Sequence, residues 1–329
     1  MATILAGAFF APSIAWAEKL TINANQIKWF KSQAIGKPVG NGLIWRGGLH
    51  LTSDNEQFGG LSDITFTSTQ GDVTMVTDTG RFVSGRLQYG ENAAPIAIEN
   101  ATIERVQNSK GVNLPTIFSR DPESLDTIYR NGKAFAVRVG FEHLTRVADF
   151  NLIDGKPGGA AIEYTIPNWI TRQRNNGSLE SLCIAPPASP VAGSTLMILE
   201  DVRDDKRNHR AWLSGKRDGG DLSVKAENGF RPTACAFTQN GDLLILYRDV
   251  GIFGFSMQLR MVRASDVQKN NVLFGEKLLE ANGGDVDNME GLATHIGTNN
   301  ETIITILSDD NFRGWERTLL LQFELVKKF

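Results

Sequence analysis

Glutamates recur in this sequence just inside the start of short apolar segments. Glu123 in PESLDTIYR, Glu180 in GSLESLCI and Glu290 in NMEGLATHI share this position. If a repeating fold brings the three together, they repel one another unless a cation or shared protons neutralise them. Carboxylate oxygens suit Ca²⁺ better than Zn²⁺, which prefers histidine and cysteine. We therefore predict a calcium site that includes these three glutamates.

The stretch GGDVDNMEG adds further acidic residues ahead of Glu290. Asp285 and Asp287 resemble part of a calcium-binding loop in their spacing, but the D-x-D-x-D-G pattern of an EF-hand is absent. Aspartate and asparagine also cap backbone amides in ordinary polar turns. Both interpretations stay open, and we include Asp287 among the predicted metal ligands.

Charged residues also follow the second β-rich segment of each repeat. A planar guanidinium can bind phosphate in a bidentate manner, and a carboxylate can deprotonate an attacking water. These residues could equally be solvated, or pair with one another across neighbouring repeats. The candidates for substrate binding are Arg138, Arg248 and Arg313, and the candidates for catalysis are Glu180, Glu290, Asp309 and Asp78.

Other kinds of catalytic motif are missing from the sequence. The histidines show no HxH or HExxH spacing, which argues against a zinc enzyme; they are His50, His143, His209 and His295. No G-x-S-x-G elbow is present, and Ser62 and Ser181 have no histidine near them in sequence. The glycine-rich segment GKPGG does not lead from a strand into a helix, so we interpret it as a turn.

The elements that must position these residues repeat along the chain. Each repeat has a small or apolar run of about one strand length, a turn rich in Gly, Asn or Asp, and a second β-rich run that ends in a charged residue. The position of the glutamates is occupied, in order along the chain, by Gly60, Glu123, Glu180, Thr233 and Glu290. Repeats with the spacing of these five positions fit four-stranded antiparallel sheets arranged around an axis. The sequence thus predicts an all-β, single β-propeller over residues 18–329, with six blades preferred and five as the alternative.

Composition excludes several classes of protein. The chain has 329 residues and a formal net charge of -3, so it lacks the basic footprint of a nucleic-acid binder. Residues 2–17 are apolar and end in Ala-Trp-Ala, as in a secretory signal peptide, although the positively charged start of such a peptide is missing. No other apolar run is long enough to span a membrane. We expect an exported, periplasmic or secreted monomer whose mature chain begins at Glu18.

The two cysteines, Cys183 and Cys235, stand in apolar, strand-like segments. An oxidising compartment permits a disulfide between them. Cysteine is also one of the residue types most often buried as a small hydrophobic side chain. We prefer free and buried cysteines, with a cross-strand disulfide as the alternative.

Three segments carry a resemblance to a known family. FGGLSDITF with VTDTGRF, NNGSLESLCIAP with ILED, and NMEGLATHI with ILSDDNF resemble the phytase-like β-propeller family, exported bacterial proteins described as having esterase-like activity of phytase. The resemblance extends from about Leu43 to Leu325. It implies a propeller fold, phosphoester hydrolysis, and acidic residues at the active site, which here are Asp78, Glu180, Glu290 and Asp309. Thr233 departs from the expected pattern, which leaves the contribution of its repeat open.

These observations predict a metal-assisted phosphoester hydrolase with a small-molecule phosphoester substrate. Two alternatives remain: a non-catalytic propeller that binds a ligand or partner and uses calcium structurally, or a propeller lactonase or carboxyl esterase. Fold alone does not separate them, since propellers support all three.

Overall fold

The computed structural model describes residues 17–252 and 254–326. The predicted signal peptide therefore lies outside the described residues, except for residue 17. The described chain forms five main antiparallel sheets, which we name blades one to five in the order of their first strands. None of its helices has the length and apolar character needed to cross a bilayer.

The blades account for nearly all strands. Blade one contains Leu61–Phe66, Asp72–Thr77, Arg81–Tyr89 and Pro95–Arg105, with Glu18–Lys19 at its outer edge. Blade two contains Pro122–Arg130, Lys133–Phe141 and Arg146–Ile153, with Lys156–Pro157 and Ile162–Tyr164 both paired to the third strand. Blade three contains Leu179–Ile184, Thr195–Arg203, His209–Ser214 and Gly220–Val224, with Val272–Leu273 added in parallel. Blade four contains Arg231–Phe237, Leu243–Gly251, Gly254–Val262 and Glu276–Asn282.

Blade five joins the two ends of the chain. It contains Asn288–Ile296, Thr302–Asp309, Thr318–Leu325, Leu43–Thr52 and Asn23–Ile27, and Pro38–Val39 also pairs with Leu43–Thr52. Outside the blades, Trp29–Phe30 pairs with Gln33–Ala34, and Asn168–Thr171 is a short α-helix. Short 3₁₀ turns cover Glu91–Ala93, Ile117–Ser119, Ala264–Asp266 and Gly283–Asp285.

The first strands of the blades contact one another in sequence around the axis, and the first strand of blade five contacts that of blade one. The protein is therefore a five-bladed β-propeller, the alternative held open above, and the preference for six blades was wrong. The reason is that Leu43–Thr52 pairs antiparallel with Thr318–Leu325, so the N-terminal segment completes blade five instead of forming a blade of its own. The segment GLIWRGGLHLTS, residues 42–53, thus closes the ring.

Hydrophobic side chains fill the spaces between blades. Trp45 of the closing strand is fully buried and packs against Phe30 and Phe323, with ring centroids 5.1 Å from each. Aromatic contacts of this kind combine a large buried apolar area with favourable ring geometry. They hold the closing strand to Thr318–Leu325 of the same blade and to the Trp29–Phe30 segment outside it.

Polar and covalent links join neighbouring first strands. Asp63 of blade one accepts backbone N–H bonds from Leu125 of blade two at 2.8 Å and from Leu292 of blade five at 3.0 Å. Asp126 of blade two accepts one from Ile184 of blade three at 2.7 Å. A backbone N–H buried between sheets needs such a partner, because leaving it unpaired costs the free energy of a lost hydrogen bond.

Blades three and four are joined by a disulfide between Cys183 and Cys235, with 5.7 Å between the Cα atoms. The preference for free cysteines was therefore wrong. Both residues are buried, as expected, but they lie on the first strands of adjacent blades. The ring brings these strands side by side, which the sequence separation of 52 residues does not reveal.

Candidate functional site

A β-bulge recurs near the start of the first strand in every blade. The pairing of first and second strands shifts there by one residue, which leaves one residue without a direct partner. A bulge of this kind redirects a side chain out of the regular alternation of the strand. The bulged residues are, in blade order, Ser62, Glu123, Glu180, Thr233 and Glu290. In blade one the position belongs to Ser62 and not to Gly60, as the sequence repeats had suggested.

A second set of equivalent positions lies beside the bulges, where the second strand of each blade lies opposite the start of the first strand. The residues there are Asp78, Glu142, Glu200, Arg248 and Asp309. The repeats in the sequence had suggested that Arg138 occupies this position in blade two. The second strand continues through Phe141, which pairs with Pro122, so Glu142 occupies the position instead.

Arg138 is part of the packing between blades two and three. Its guanidinium donates to both carboxylate oxygens of Asp149, at 2.7 and 2.8 Å, and to the hydroxyl of Thr195 at 2.6 Å. It also lies 3.5 Å from the ring centroid of Tyr164. These partners occupy the guanidinium of Arg138. The side chain therefore stabilises the contact between blades and does not lie with the residues at the bulges.

The glutamates predicted to converge do lie in one electrostatic cluster. Burial, followed by the charges of Glu180, Asp121 and Glu290, raises the pKa of Glu123 well above its usual range. Burial and the neighbouring charges of Glu142, Glu200 and Glu290 raise the pKa of Glu180 in the same way. In the described part of the chain, neither Glu123 nor Glu180 forms an ion pair with arginine or lysine. The charge of Arg248 offsets part of the repulsion at Glu180, but its own ion pairs are with Glu200 and Glu290.

Blade four supplies the arginine of this cluster. Arg248 donates through Nη1 to the carboxylate of Glu290 and the amide oxygen of Asn288, and through Nη2 to Glu200 Oε1 at 3.3 Å. Burial alone would lower the pKa of Arg248, but the charges of Glu290, Glu200 and Glu180 raise it overall. The guanidinium is therefore a permanent, well-oriented positive charge beside the glutamates. On Glu290, burial raises the pKa, although Arg248 and Asn288 act to lower it.

Two aspartates extend the cluster towards blades one and five. Burial, helped by the charges of Asp121, Glu290 and Asp310, raises the pKa of Asp78 to about 7. Its buried Oδ1 atom has no hydrogen-bond partner in the described chain. Burial, Glu290 and Asp78 likewise raise the pKa of Asp309, whose Oδ1 accepts the Asn311 N–H at 2.6 Å. Both protonation states of Asp78 are therefore accessible near neutral pH in the absence of a bound cation.

Sequence reasoning missed three residues of the site, Asp121, Glu142 and His143. Nδ1 of His143 lies 2.8 Å from Asp121 Oδ2 and 3.4 Å from Glu142 Oε2. Glu142 is only 1% exposed, and its Oε1 accepts the backbone N–H groups of Gly177 and of Ser178, the latter at 3.0 Å. The neighbouring Glu142 and His143, directly after the second strand of blade two, were the available signal. The repeats in the sequence had suggested that this strand ends at Arg138, and the two residues were therefore overlooked.

Two predicted residues have partners outside this cluster. Asp287 accepts from Arg317 Nε at 3.0 Å through Oδ2, and from the Asn288 N–H at 3.1 Å through Oδ1. Arg313 pairs with Glu316 at 3.0 Å near the surface. The structure therefore uses both side chains in local turn and ion-pair contacts.

Fold and site together define an acid-lined, five-bladed β-propeller. The family described as phytase-like, with esterase-like activity of phytase, matches residues 56–312. The chain belongs to this family, which confirms the resemblance read from the sequence motifs. No similar sequence was found among curated proteins.

A distant likeness exists among solved structures. The PQQ-bound form of aldose sugar dehydrogenase from Streptomyces coelicolor matches 94% of this chain and 99% of its own, at 10% sequence identity and a TM-score of 0.43. A likeness this low carries no argument about the activity of the present protein.

Proposed function

We propose that this protein is an exported, metal-assisted phosphoester hydrolase whose active site is the acid-lined cluster at the bulges. One observation supports this proposal most directly. Four blades contribute carboxylates at the two sets of equivalent positions, and blade four contributes Arg248 instead. Acids that need a cation, next to an arginine that can bind an anion, suit a phosphoester bound together with a metal.

The donor set fits a hard cation. Glu123, Glu180 and Glu290 offer oxygen atoms only, and burial together with neighbouring acids raises the pKa of each. Ca²⁺ binds oxygen ligands in flexible geometry and would relieve this repulsion. Asp287 fits less well as a ligand, because Arg317 already occupies it. When bound, calcium would neutralise negative charge on the phosphoryl oxygens.

The side chains of this chain would orient the substrate and move the proton. Arg248 is held by Glu200 and Glu290, and its remaining N–H groups can donate to a phosphoryl oxygen. As a carboxylate, Asp78 would accept the proton of the attacking water while the water oxygen bonds to phosphorus. As the ester P–O bond breaks, the same proton would pass to the leaving alkoxide. The pKa of about 7 makes both forms of Asp78 accessible.

A substrate panel tests the proposal. Phosphomonoesters, phosphodiesters, lactones and carboxyl esters are assayed with calcium and with a chelator. We expect hydrolysis of a phosphoester that the chelator abolishes. Hydrolysis of lactones or carboxyl esters alone would indicate the esterase alternative. Calcium binding without hydrolysis of any ester in the panel would indicate a non-catalytic, ligand-binding propeller.

Asp78→Asn tests the proton-transfer role. The amide cannot accept the proton, so we expect kcat to fall by roughly 100-fold, within the usual contribution of general acid–base catalysis. Activity of the wild type should rise with pH as Asp78 loses its proton, and this rise should disappear in the variant. Asp72→Asn is the control, because Asp72 lies in the same blade and pairs with Arg86. Equal pH profiles for wild type and Asp78→Asn would rule out this role.

A further inference from the structure

We propose that Asp121, Glu142 and His143 form a second cation subsite, for a first-row divalent transition metal such as Zn²⁺, beside the calcium ligands. This inference rests on the proposed function for its location at the active site, but it does not require that the site hydrolyse phosphoesters. It goes beyond the calcium expected from the sequence, since histidine was not among the predicted ligands.

The three donors are close enough to share one ion. One ligand atom from each residue lies within 4.8 Å of the others. Ligand atoms stand about 2 Å from a bound Zn²⁺, so two of them lie at most about 4 Å apart. Only a small rearrangement of the side chains is needed, since Asp121 directly precedes the first strand of blade two, and Glu142 and His143 directly follow the second.

The imidazole of His143 faces both carboxylates. Its buried Nδ1 lies 2.8 Å from Asp121 Oδ2 and 3.4 Å from Glu142 Oε2. An ion bound among the three residues would use these same atoms, and it would take the place of the pair that Nδ1 forms with Asp121.

The surrounding residues hold the three donors in place. Oε1 of Glu142 is anchored by the backbone N–H groups of Gly177 and Ser178, while Oε2 faces His143. The imidazole ring packs beside Phe118, with centroids 5.3 Å apart. Such supporting contacts orient metal ligands before the ion arrives.

The donor chemistry distinguishes this subsite from the calcium ligands. Imidazole nitrogen favours zinc and its neighbours in the first transition row, whereas calcium prefers oxygen donors throughout. The carboxyl groups of Asp121 and Glu123 are hydrogen-bonded to each other, which connects the two sets of ligands. The site would therefore hold two cations of different character side by side.

His143→Asn tests the inference. His143 has a positive φ of 46°, a conformation that asparagine adopts more readily than most residues. Zn²⁺ binding is measured by calorimetry in the presence of excess calcium, and Co²⁺ serves as a visible-absorption probe of nitrogen ligation. We expect one Zn²⁺ site in the wild type. In the variant, Zn²⁺ affinity should fall by more than about tenfold, because even outer-shell substitutions reach that size. The control is His50→Asn, a half-buried histidine on the closing strand, which should bind Zn²⁺ like the wild type.

The outcomes separate this inference from the proposed function. Absence of Zn²⁺ binding in the wild type, or equal binding in His143→Asn, overturns the second subsite, while calcium-dependent hydrolysis can still stand. Zinc binding that depends on His143, without hydrolysis of any phosphoester, overturns the proposed function and leaves the subsite intact. If melting curves show that His143→Asn does not fold, Asp121→Asn takes its place with the same expected loss.

Discussion

At the level of single residues, Glu290 has two competing partners. Its carboxylate bonds to Arg248 and also accepts from the Asn288 amide at 2.8 Å. It lies at the bulge of blade five, in the electrostatic field of the other acids. A residue in this position can either hold the arginine or bind a cation together with Glu123 and Glu180. Both roles depend on its charge, but only the second one depends on calcium.

Glu290→Gln separates these two roles. The amide keeps the shape of the side chain but removes its charge, so calcium affinity and hydrolysis should fall together. Because a ligand stabilises the folded state in proportion to its binding, calcium should raise Tm much more in the wild type than in the variant. Melting curves with calcium and with chelator measure this difference. Glu324→Gln is the control, since Glu324 pairs with Arg46 in the same blade. An equal calcium shift in wild type and Glu290→Gln would remove Glu290 from the metal site.

At the level of elements, the first strands combine two tasks. Their bulges direct the site residues, and further along the same strands Asp63, Asp126 and the Cys183–Cys235 bond join one blade to the next. Blades four and five are joined by hydrogen bonds from Thr233 to the Met289 carbonyl oxygen, at 3.1 Å, and from Thr294 to that of Phe237. The positions of the site residues therefore depend on the same contacts that hold the ring together.

The Cys183→Ala/Cys235→Ala double variant tests the covalent part of this arrangement. A cross-link between residues 52 apart in sequence lowers the entropy of the unfolded chain, and its loss should cost about 3 to 4 kcal/mol of unfolding free energy. Alanine is used instead of serine, because serine would place a buried, unpaired hydroxyl group at each position. Denaturant titration measures the change, and reduced wild type should show a similar loss. Unchanged stability in both samples would contradict a stabilising role for the disulfide.

At the level of the whole molecule, ring closure concentrates negative charge near the axis. The closing strand Leu43–Thr52 completes blade five and so brings it against blade one. This closure places Asp78 of blade one near Glu290 and Asp310 of blade five, and their charges help to raise its pKa. The fold thus carries an electrostatic cost that depends on pH and on bound cations.

Stability should therefore fall as pH rises when no divalent cation is present. The pKa values of Glu123, Glu180 and Asp309 are raised by burial and by neighbouring acids, and that of Asp78 reaches about 7. The folded protein then holds protons more tightly than the unfolded chain, so its unfolding free energy decreases between about pH 4 and pH 7. Calcium should remove most of this decrease. Denaturant midpoints at pH 5 and pH 8, with calcium or chelator, measure it. A rise in stability over this range in chelator would contradict the prediction.

The sequence by itself determined the repeating β-architecture and the convergence of Glu123, Glu180 and Glu290. Both follow from local patterns, because strand-length apolar runs, turn residues and one charged position recur in each repeat. Repetition places equivalent residues in equivalent positions of the fold. The three glutamates could therefore be predicted to lie close together without knowledge of any contact. The motifs EGL and SDDNF also identified the family.

Only the tertiary structure decided the number of blades, the strand register and the partners of individual side chains. Five blades arise because Leu43–Thr52 pairs with a strand from the other end of the chain. Glu142, and not Arg138, reaches the site because hydrogen bonding between strands sets the register. Cys183 meets Cys235 only when blades three and four stand side by side. Each of these outcomes depends on contacts between distant segments, and a local pattern contains no information about which distant segment will be the partner.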